Sequence, residues 1–420
     1  MQKIKALGRK GIGLILLCWL VYTSSYIGKV NYAANINEVM TFFQVDHSSA
    51  GLVSTFFFFS YGIGQIINGL LCKRYNVKWI VFISLIVSGT VNFVVGISSD
   101  FSLVKYLWLI NGFSMSILWP SLIRLLSECL AENDMKDASI IMGTTVATGT
   151  LIVYALSALF VKISFKISFY LAAGVFGTVA FVWLFLFRRL VNEAKSGNEI
   201  EEHSPVMAQN DNKKDDYNKR ILLLTIVVLG IFGVATNLIK DGLTTWVPSI
   251  LKEQYNLDNS FSIILTLSLP VVAIFSNIFA VGLHKKFSDY VVECGLAFLC
   301  SGAIIIGVIG GTTLNQFWLT LVGFTLVCFL VSSCNSIITS IFPLFMKGKL
   351  NSGFIAGILN GCCYLGSTIS SYGLGAIADN FGWPIVFWVL FFVCLGVCIC
   401  TGIYVFVKKF LQKGKRMVCK

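Results

Sequence analysis

The chain has 420 residues, 56% of them apolar and 12% formally charged, with a mean hydropathy of +0.81 and 35 phenylalanines. A soluble domain carries about 25% charged residues, so a soluble globular enzyme is excluded and lipid must solvate much of the surface. The net charge of +12 follows membrane topology, as the positions of the basic residues show, and is no nucleic-acid footprint.

Lys3, Lys5, Arg9 and Lys10 precede an apolar run that continues past Tyr22 with no small-residue cleavage site, so the run is a first span and not a signal peptide. Crossing the hydrocarbon core takes about 20 apolar residues. Runs bounded by polar or basic clusters place twelve transmembrane helices at 11–37, 49–72, 78–97, 102–130, 138–161, 167–190, 221–251, 260–283, 290–310, 315–345, 351–377 and 384–407. The only long polar stretch, Val191 to Lys219, separates the sixth span from the seventh and has no apolar periodicity. The expected organisation is an N-terminal six-helix bundle over 1–190, a cytoplasmic linker over 191–219 and a C-terminal six-helix bundle over 220–420.

Cytoplasmic loops retain Lys and Arg. With the N-terminus inside, the inside set holds the basic N-terminus, Lys73, Arg74, Lys78, Lys136, the linker cluster, Lys285, Lys286, Lys347, Lys349 and the basic C-terminus, while the outside loops hold Lys105, Lys162, Lys166 and Lys252. Both termini are therefore expected in the cytoplasm. The 13 cysteines are odd in number, lie mostly in apolar runs and form no CxxC pair, which argues against a disulfide framework or zinc site. His47, His203 and His284 all fall in expected loops, leaving no intramembrane imidazole and no catalytic triad. No enzyme activity, cofactor or metal is expected.

The two halves resemble each other. Phe43 to Ser48 (FQVDHS) matches Tyr255 to Ser260 (YNLDNS) at an offset of 212, Lys29 matches Lys240 at 211, and the segment Gly69 to Arg74 (GLLCKR) parallels Gly282 to Lys286 (GLHKK). Such a repeat places a binding site between two facing bundles. A charge within the bilayer is expensive and marks a functional site, and Lys29 and Lys240 are the two matched intramembrane cations. Tyr22, Ser25, Tyr26 and Tyr32 share the helical face of Lys29, and Gly233, Thr236, Asn237 and Thr244 share that of Lys240. Two polar stripes centred on cations describe a cavity for an anion; the alternative is that each lysine snorkels or pairs with an acid. Asp241 adjoins Lys240, but one residue of helix turns its side chain by about 100°, which directs it elsewhere. It is the candidate proton-coupling group, with pairing across helices as the alternative.

Further polar stripes are Tyr61, Gln65 and Asn68 on helix two, Thr144 and Thr148 on helix five, and Asn360, Tyr364, Ser367 and Ser371 on helix eleven. Each serves either a substrate or helix–helix adhesion. Gly62, Gly64, Gly361 and Gly366 are read as close-approach positions, and Arg124 with Glu128 as a local ion pair.

Tyr22 to Tyr32 (YTSSYIGKVNY), Trp119-Pro120, Lys240 to Pro248 (KDGLTTWVP) and Asp379 to Trp383 (DNFGW) resemble the organophosphate:phosphate antiporters of the major facilitator superfamily, and the likeness runs over nearly the whole chain. The resemblance implies the major facilitator fold, in which two pseudo-symmetric six-helix bundles rock about a midplane site. In that family arginines at the positions of Lys29 and Lys240 clamp phosphate, and tyrosines at those of Tyr22, Tyr26 and Tyr61 line the site. The chain departs from the family pattern in carrying lysine at both clamp positions, Gln65 for a lysine, Ala147 near a histidine, Val30 where lysine is frequent, Thr245 for an aspartate and Lys73 for an acidic loop residue. Lysine is a point charge and not a bidentate fork, which opens the site to carboxylates.

The resemblance thus implies a secondary transporter of small organic anions, exchanging phosphate esters for inorganic phosphate, in a bacterial plasma membrane and monomeric. Its expected contacts are Lys29, Lys240, Tyr22, Tyr26, Tyr61, Tyr32, Gln65, Asn237 and Tyr364. The alternatives are a proton-coupled carboxylate or sugar-acid transporter and a transporter-like anion receptor. A channel is disfavoured, because the site comes as an asymmetric pair and not a ring.

Overall fold

Lipid offers no hydrogen bonds, so a segment crossing it must satisfy its own backbone, and helix is the solution open to a chain without closed strands. The computed structural model describes residues 11–71, 74–130, 132–201, 219–287, 289–345 and 352–418 and is helical through nearly all of them. Among the described residues twelve long helical segments follow in order: α1 (Ile12–Ala34), α2 (His47–Leu71), α3 (Val77–Ile97), α4 (Phe101–Cys129), α5 (Ala138–Phe160), α6 (Lys166–Glu201), α7 (Lys219–Tyr255), α8 (Asn259–Phe287), α9 (Tyr290–Thr313), α10 (Phe317–Ile341), α11 (Ser352–Phe381) and α12 (Trp383–Val418), of which all but the more polar α11 are long and apolar enough by composition to cross a membrane. They agree with the spans expected from hydropathy. The expected linker over 191–219 is helical at its start, since α6 persists to Glu201, and α7 starts at Lys219; residues 202–218 lie outside the described residues.

Local chemistry sets the ends and breaks. Asn76, Asp100 and Asp289 cap α3, α4 and α9 by accepting backbone N–H groups at the first turn. Proline frees the carbonyl four residues earlier, and other helices take up two of these carbonyls. Pro120 releases the Ser116 carbonyl, to which Gln65 Nε2 donates at 3.2 Å. Pro248, inside α7, releases the Thr244 carbonyl, to which the Tyr154 hydroxyl donates at 2.8 Å. Before Pro343, α10 loosens into a π-turn over Ile337–Ile341. The duplication seen in the sequence recurs in the backbone, where Gln44 and Asn256, 212 positions apart, both turn the chain with left-handed φ angles of 52° and 54°.

α2 packs along α11 and α5 along α8, so these four helices join the first six crossings to the last six. Glycine permits the closest approaches: a Cβ on Gly51 would lie 2.1 Å from the Ser371 carbonyl oxygen, and one on Gly366 would lie 2.0 Å from that of Val234. Gly62 and Gly64 likewise abut Tyr364 and Ser116, as close-approach positions should. Buried amides bind the first six helices together, with Asn31 donating to Asn92 at 2.8 Å, Asn35 to Ser157 Oγ at 2.9 Å and Asn111 to the Gly28 carbonyl at 3.1 Å. The outer surface is apolar, with Phe185 81% and Phe406 74% exposed, as a lipid-facing belt requires.

Two sequence expectations need correction. His47 is the first residue of α2 and 19% exposed, and His284 lies in the last turn of α8, where its ring stacks on Tyr290 and Nδ1 meets Glu293 at 2.8 Å; neither is a loop residue. Both sit where a helix runs a few residues past its apolar stretch. His203 lies outside the described residues.

Candidate functional site

A cavity of about 950 Å³ lies between the two sets of six helices. Lys29 enters it from α1 and Lys240 from α7, the matched pair expected from the sequence. The Lys29 ammonium is met by ring faces: Tyr61 at 4.6 Å, Tyr26 at 5.0 Å, Tyr364 at 5.2 Å, Phe58 at 5.6 Å and Phe57 at 5.7 Å from Nζ to centroid. Such contacts hold a cation without neutralising it, each contributing about 0.5–2 kcal/mol. Tyr61 is therefore part of the site, standing behind the lysine, while Tyr22, Tyr26 and Tyr364 line the cavity itself; Tyr22 packs on Trp119 at 4.6 Å.

Lys240 has a different environment. Its Nζ lies 3.4 Å from Asp241 Oδ1, contrary to the expectation that Asp241 points away. The four-carbon stem of lysine reaches back across one residue of helix, so a 100° offset at Cα does not separate the charged ends. Asp241 Oδ2 accepts from Ser367 at 2.5 Å, Ser367 accepts from Asn237 at 3.1 Å, and Asn237 accepts from Asn335 at 2.8 Å; the Thr339 hydroxyl next to them donates to the Asn335 backbone carbonyl at 2.8 Å. This relay ties α7, α10 and α11 together. Asn335 and Thr339 did not emerge from the sequence; the polar run from Ser332 to Ser340 within α10 is the signal that marks them.

Gln65 lines the cavity and accepts from Asn360 across the two sets of helices at 3.3 Å. Tyr32 is not in the cavity wall: its hydroxyl donates to the Ala50 carbonyl at 2.9 Å and its ring packs on Trp108, because the end of α1 is covered there by α2 and α4. On α5 the helix breaks at Thr144, which accepts the Trp19 indole N–H at 2.9 Å; Thr150, and neither Thr144 nor Thr148, lines the cavity. Asn68 joins helices by donating to Ser116 Oγ, whereas Ser371 donates to the Ser367 carbonyl within α11 itself. Arg124 and Glu128 form the expected pair at 2.6 Å.

One end of the cavity is sealed. On the face carrying the α1–α2, α7–α8 and α11–α12 connections, His47 Nδ1 is 2.6 Å from Asp379 and Nε2 is 2.8 Å from Glu253, while Trp383 Nε1 donates to the other oxygen of Glu253 at 2.8 Å. The backbone N–H of Ser48 donates to Asp379 at 2.7 Å. Beside this latch, Asn37 accepts from Ser249 at 2.6 Å and donates to Asn259 at 2.8 Å, Asn259 donates to Glu38 at 2.7 Å, and Ser260 donates to the Ala158 carbonyl at 2.7 Å. Asp46, in the turn just before α2, is held below the usual carboxylate range by hydrogen bonds from Ser49. Toward the face bearing both chain ends, the lining continues through Leu70, Ile123, Met142, Asn277, Ser340 and Ala356. Cavity and latch together describe a central site between two sets of helices, closed on one face.

The Major Facilitator Superfamily profile matches residues 18–369. Bovine "Sugar phosphate exchanger 3" is 20% identical over 393 residues, covering 83% of this chain and 77% of that one. "Membrane sensor protein UhpC" of Escherichia coli K12 is 26% identical over 121 residues, so the match spans only 28% of that relative's length. "Probable hexose phosphate transport protein" of Chlamydia pneumoniae is 25% identical over 113 residues, 27% of this chain and 25% of that one. Among solved structures, a bacterial homologue of the human lysosomal transporter Spinster, inward-facing and occupied, superposes with a TM-score of 0.70 at 12% identity over 96% of this chain and 97% of that chain. A point mutant of the nucleoside transporter NupG superposes at 0.68 and 12% identity, covering 93% and 99%.

Proposed function

The chain belongs to the Major Facilitator Superfamily, and from that membership we propose that it exchanges small organic anions, phosphate esters foremost, for inorganic phosphate. Membership makes it a multi-pass membrane transporter and not an enzyme. The observation that carries the finer reading is the pairing of Lys29 and Lys240, one from each set of six helices, on a single cavity. The names of the sugar phosphate exchanger and hexose phosphate relatives agree with it. In this reading residues 1–190 and 220–420 are the rocking bundles, and the face bearing the chain ends, richest in Lys and Arg, is cytoplasmic. The structure then corresponds to the state open to the cytoplasm of a monomer in a bacterial plasma membrane.

An anion bridging the two lysines draws the bundles together, so the loaded carrier reorients more readily than the empty one, which is the physical requirement for exchange. The test is uptake of labelled phosphate into liposomes holding the purified protein. Uptake is expected only when the vesicles are preloaded with phosphate, and Lys29→Gln or Lys240→Gln is expected to abolish it while the protein stays folded and inserted. Near-normal uptake by either variant would falsify the clamp.

A second reading, an anion receptor that signals to a partner, has one specific support in the match to a membrane sensor. It predicts saturable anion binding without exchange in the same vesicles.

A further inference from the structure

We infer that the site is matched to an anion of a single negative charge, and that Asp241 is the residue setting that limit. The inference rests on the anion-site reading above and adds the charge class of the cargo. Among the described residues lining the cavity the charged side chains are Lys29, Lys240 and Asp241. Two cations and one carboxylate leave one positive charge. The rest of the wall is apolar, aromatic or neutral, so a bound charge left uncompensated is poorly solvated there. A monoanion brings the cavity to neutrality, whereas a dianion leaves it negative beside a carboxylate that already holds Lys240 at 3.4 Å.

The hydrogen-bond relay from α10 and α11 converges on Asp241. Asn237 Nδ2 donates to Ser367 Oγ, and the Ser367 hydroxyl proton in turn points to Asp241 Oδ2. Asn335 donates in the same direction. Every donor in the relay faces the carboxyl group, which receives one hydrogen bond on Oδ2 and the Lys240 ammonium on Oδ1. Lys29 is met instead by five aromatic rings, which leave its charge free for the cargo. Lys29 is thus the primary anion contact, and Lys240 reaches the cargo only while still tethered to Asp241. Phosphate esters, whose second proton leaves at about pH 6, enter as the singly charged form.

The test uses two probes built on the same phosphorus centre, dimethyl phosphate, a monoanion throughout, and methyl phosphate, a dianion at pH 8. Binding of each to the purified full-length protein at pH 8 is measured by calorimetry, for the wild type, Asp241→Asn, Asp241→Glu and Lys29→Gln. The wild type is expected to prefer dimethyl phosphate at least tenfold. Asp241→Asn, which keeps the shape and removes the charge, is expected to move the ratio at least tenfold toward methyl phosphate. Asp241→Glu, which keeps the charge, retains the wild-type preference. If both probes bind, Lys29→Gln removes both and Asp241→Asn leaves the ratio unmoved, the charge-setting role of Asp241 is wrong and the anion site stands. If neither probe binds the wild type, the anion-site reading itself fails and takes the inference with it.

Discussion

Lys29 and Lys240 occupy equivalent places and are held by opposite means, one by ring faces and the other by a carboxylate. Their presence was legible in the sequence, because a cation within an apolar span is rarely tolerated without a task. Their partners were not, because a helical face computed from spacing knows nothing of the helices packed against it. Tyr32 illustrates the point: its spacing from Lys29 puts it on the same side of α1, yet α2 arrives first and takes its hydroxyl at Ala50. Tyr32→Phe is accordingly expected to lower stability by about 1 kcal/mol, the net contribution of one hydrogen bond, while leaving anion affinity within twofold. Thermal melting and calorimetry on the same preparation measure the two effects separately. A tenfold loss of affinity would return Tyr32 to the site.

At the scale of elements, prolines and glycines were recognisable as positions, but the groups that answer them come from distant helices. Pro248 opens the Thr244 carbonyl to Tyr154, a contact joining α7 to α5, and no local pattern announces it. The closest backbone approach, α11 on α7 at Gly366, has no room for a side chain. Gly366→Leu is expected to force those helices apart and lower the melting temperature by several degrees, as overpacking costs about 1–3 kcal/mol. The latch is a second element-scale device, since His47 comes from the start of α2 while Glu253 and Asp379 end α7 and α11. His47→Ala removes both cross-helix contacts and is expected to raise the population open on that face. Faster labelling of a cysteine placed at Thr245, by an impermeant thiol reagent added from the latch side in a cysteine-replaced background, measures it; unchanged labelling means that the neighbouring Asn37 and Asn259 contacts hold the face shut alone.

For the whole molecule, hydropathy located the long helices and the offset of 212 announced the duplication, which the paired left-handed residues Gln44 and Asn256 repeat in the backbone. What hydropathy cannot convey is which end of the cavity is closed, because that depends on polar contacts between segments more than 200 positions apart, such as Asn37 with Asn259. Ser260 against Ala158 offers a direct control of the rocking motion. The double variant Ala158→Cys and Ser260→Cys, oxidised in a cysteine-replaced background, is expected to stop exchange completely, and reductant is expected to restore it. Exchange that continues under verified cross-linking would rule out separation of α5 from α8 as a step of transport. The charge inventory of the cavity has an electrical consequence as well. With Lys29, Lys240 and Asp241 leaving one positive charge, a carrier loaded with a monoanion moves no net charge as it turns, whereas the empty carrier does work against the membrane potential of about 2.3 kcal/mol for each elementary charge taken across 100 mV. Exchange should therefore be blind to voltage, and the unloaded return should be the step that an imposed potential speeds or slows.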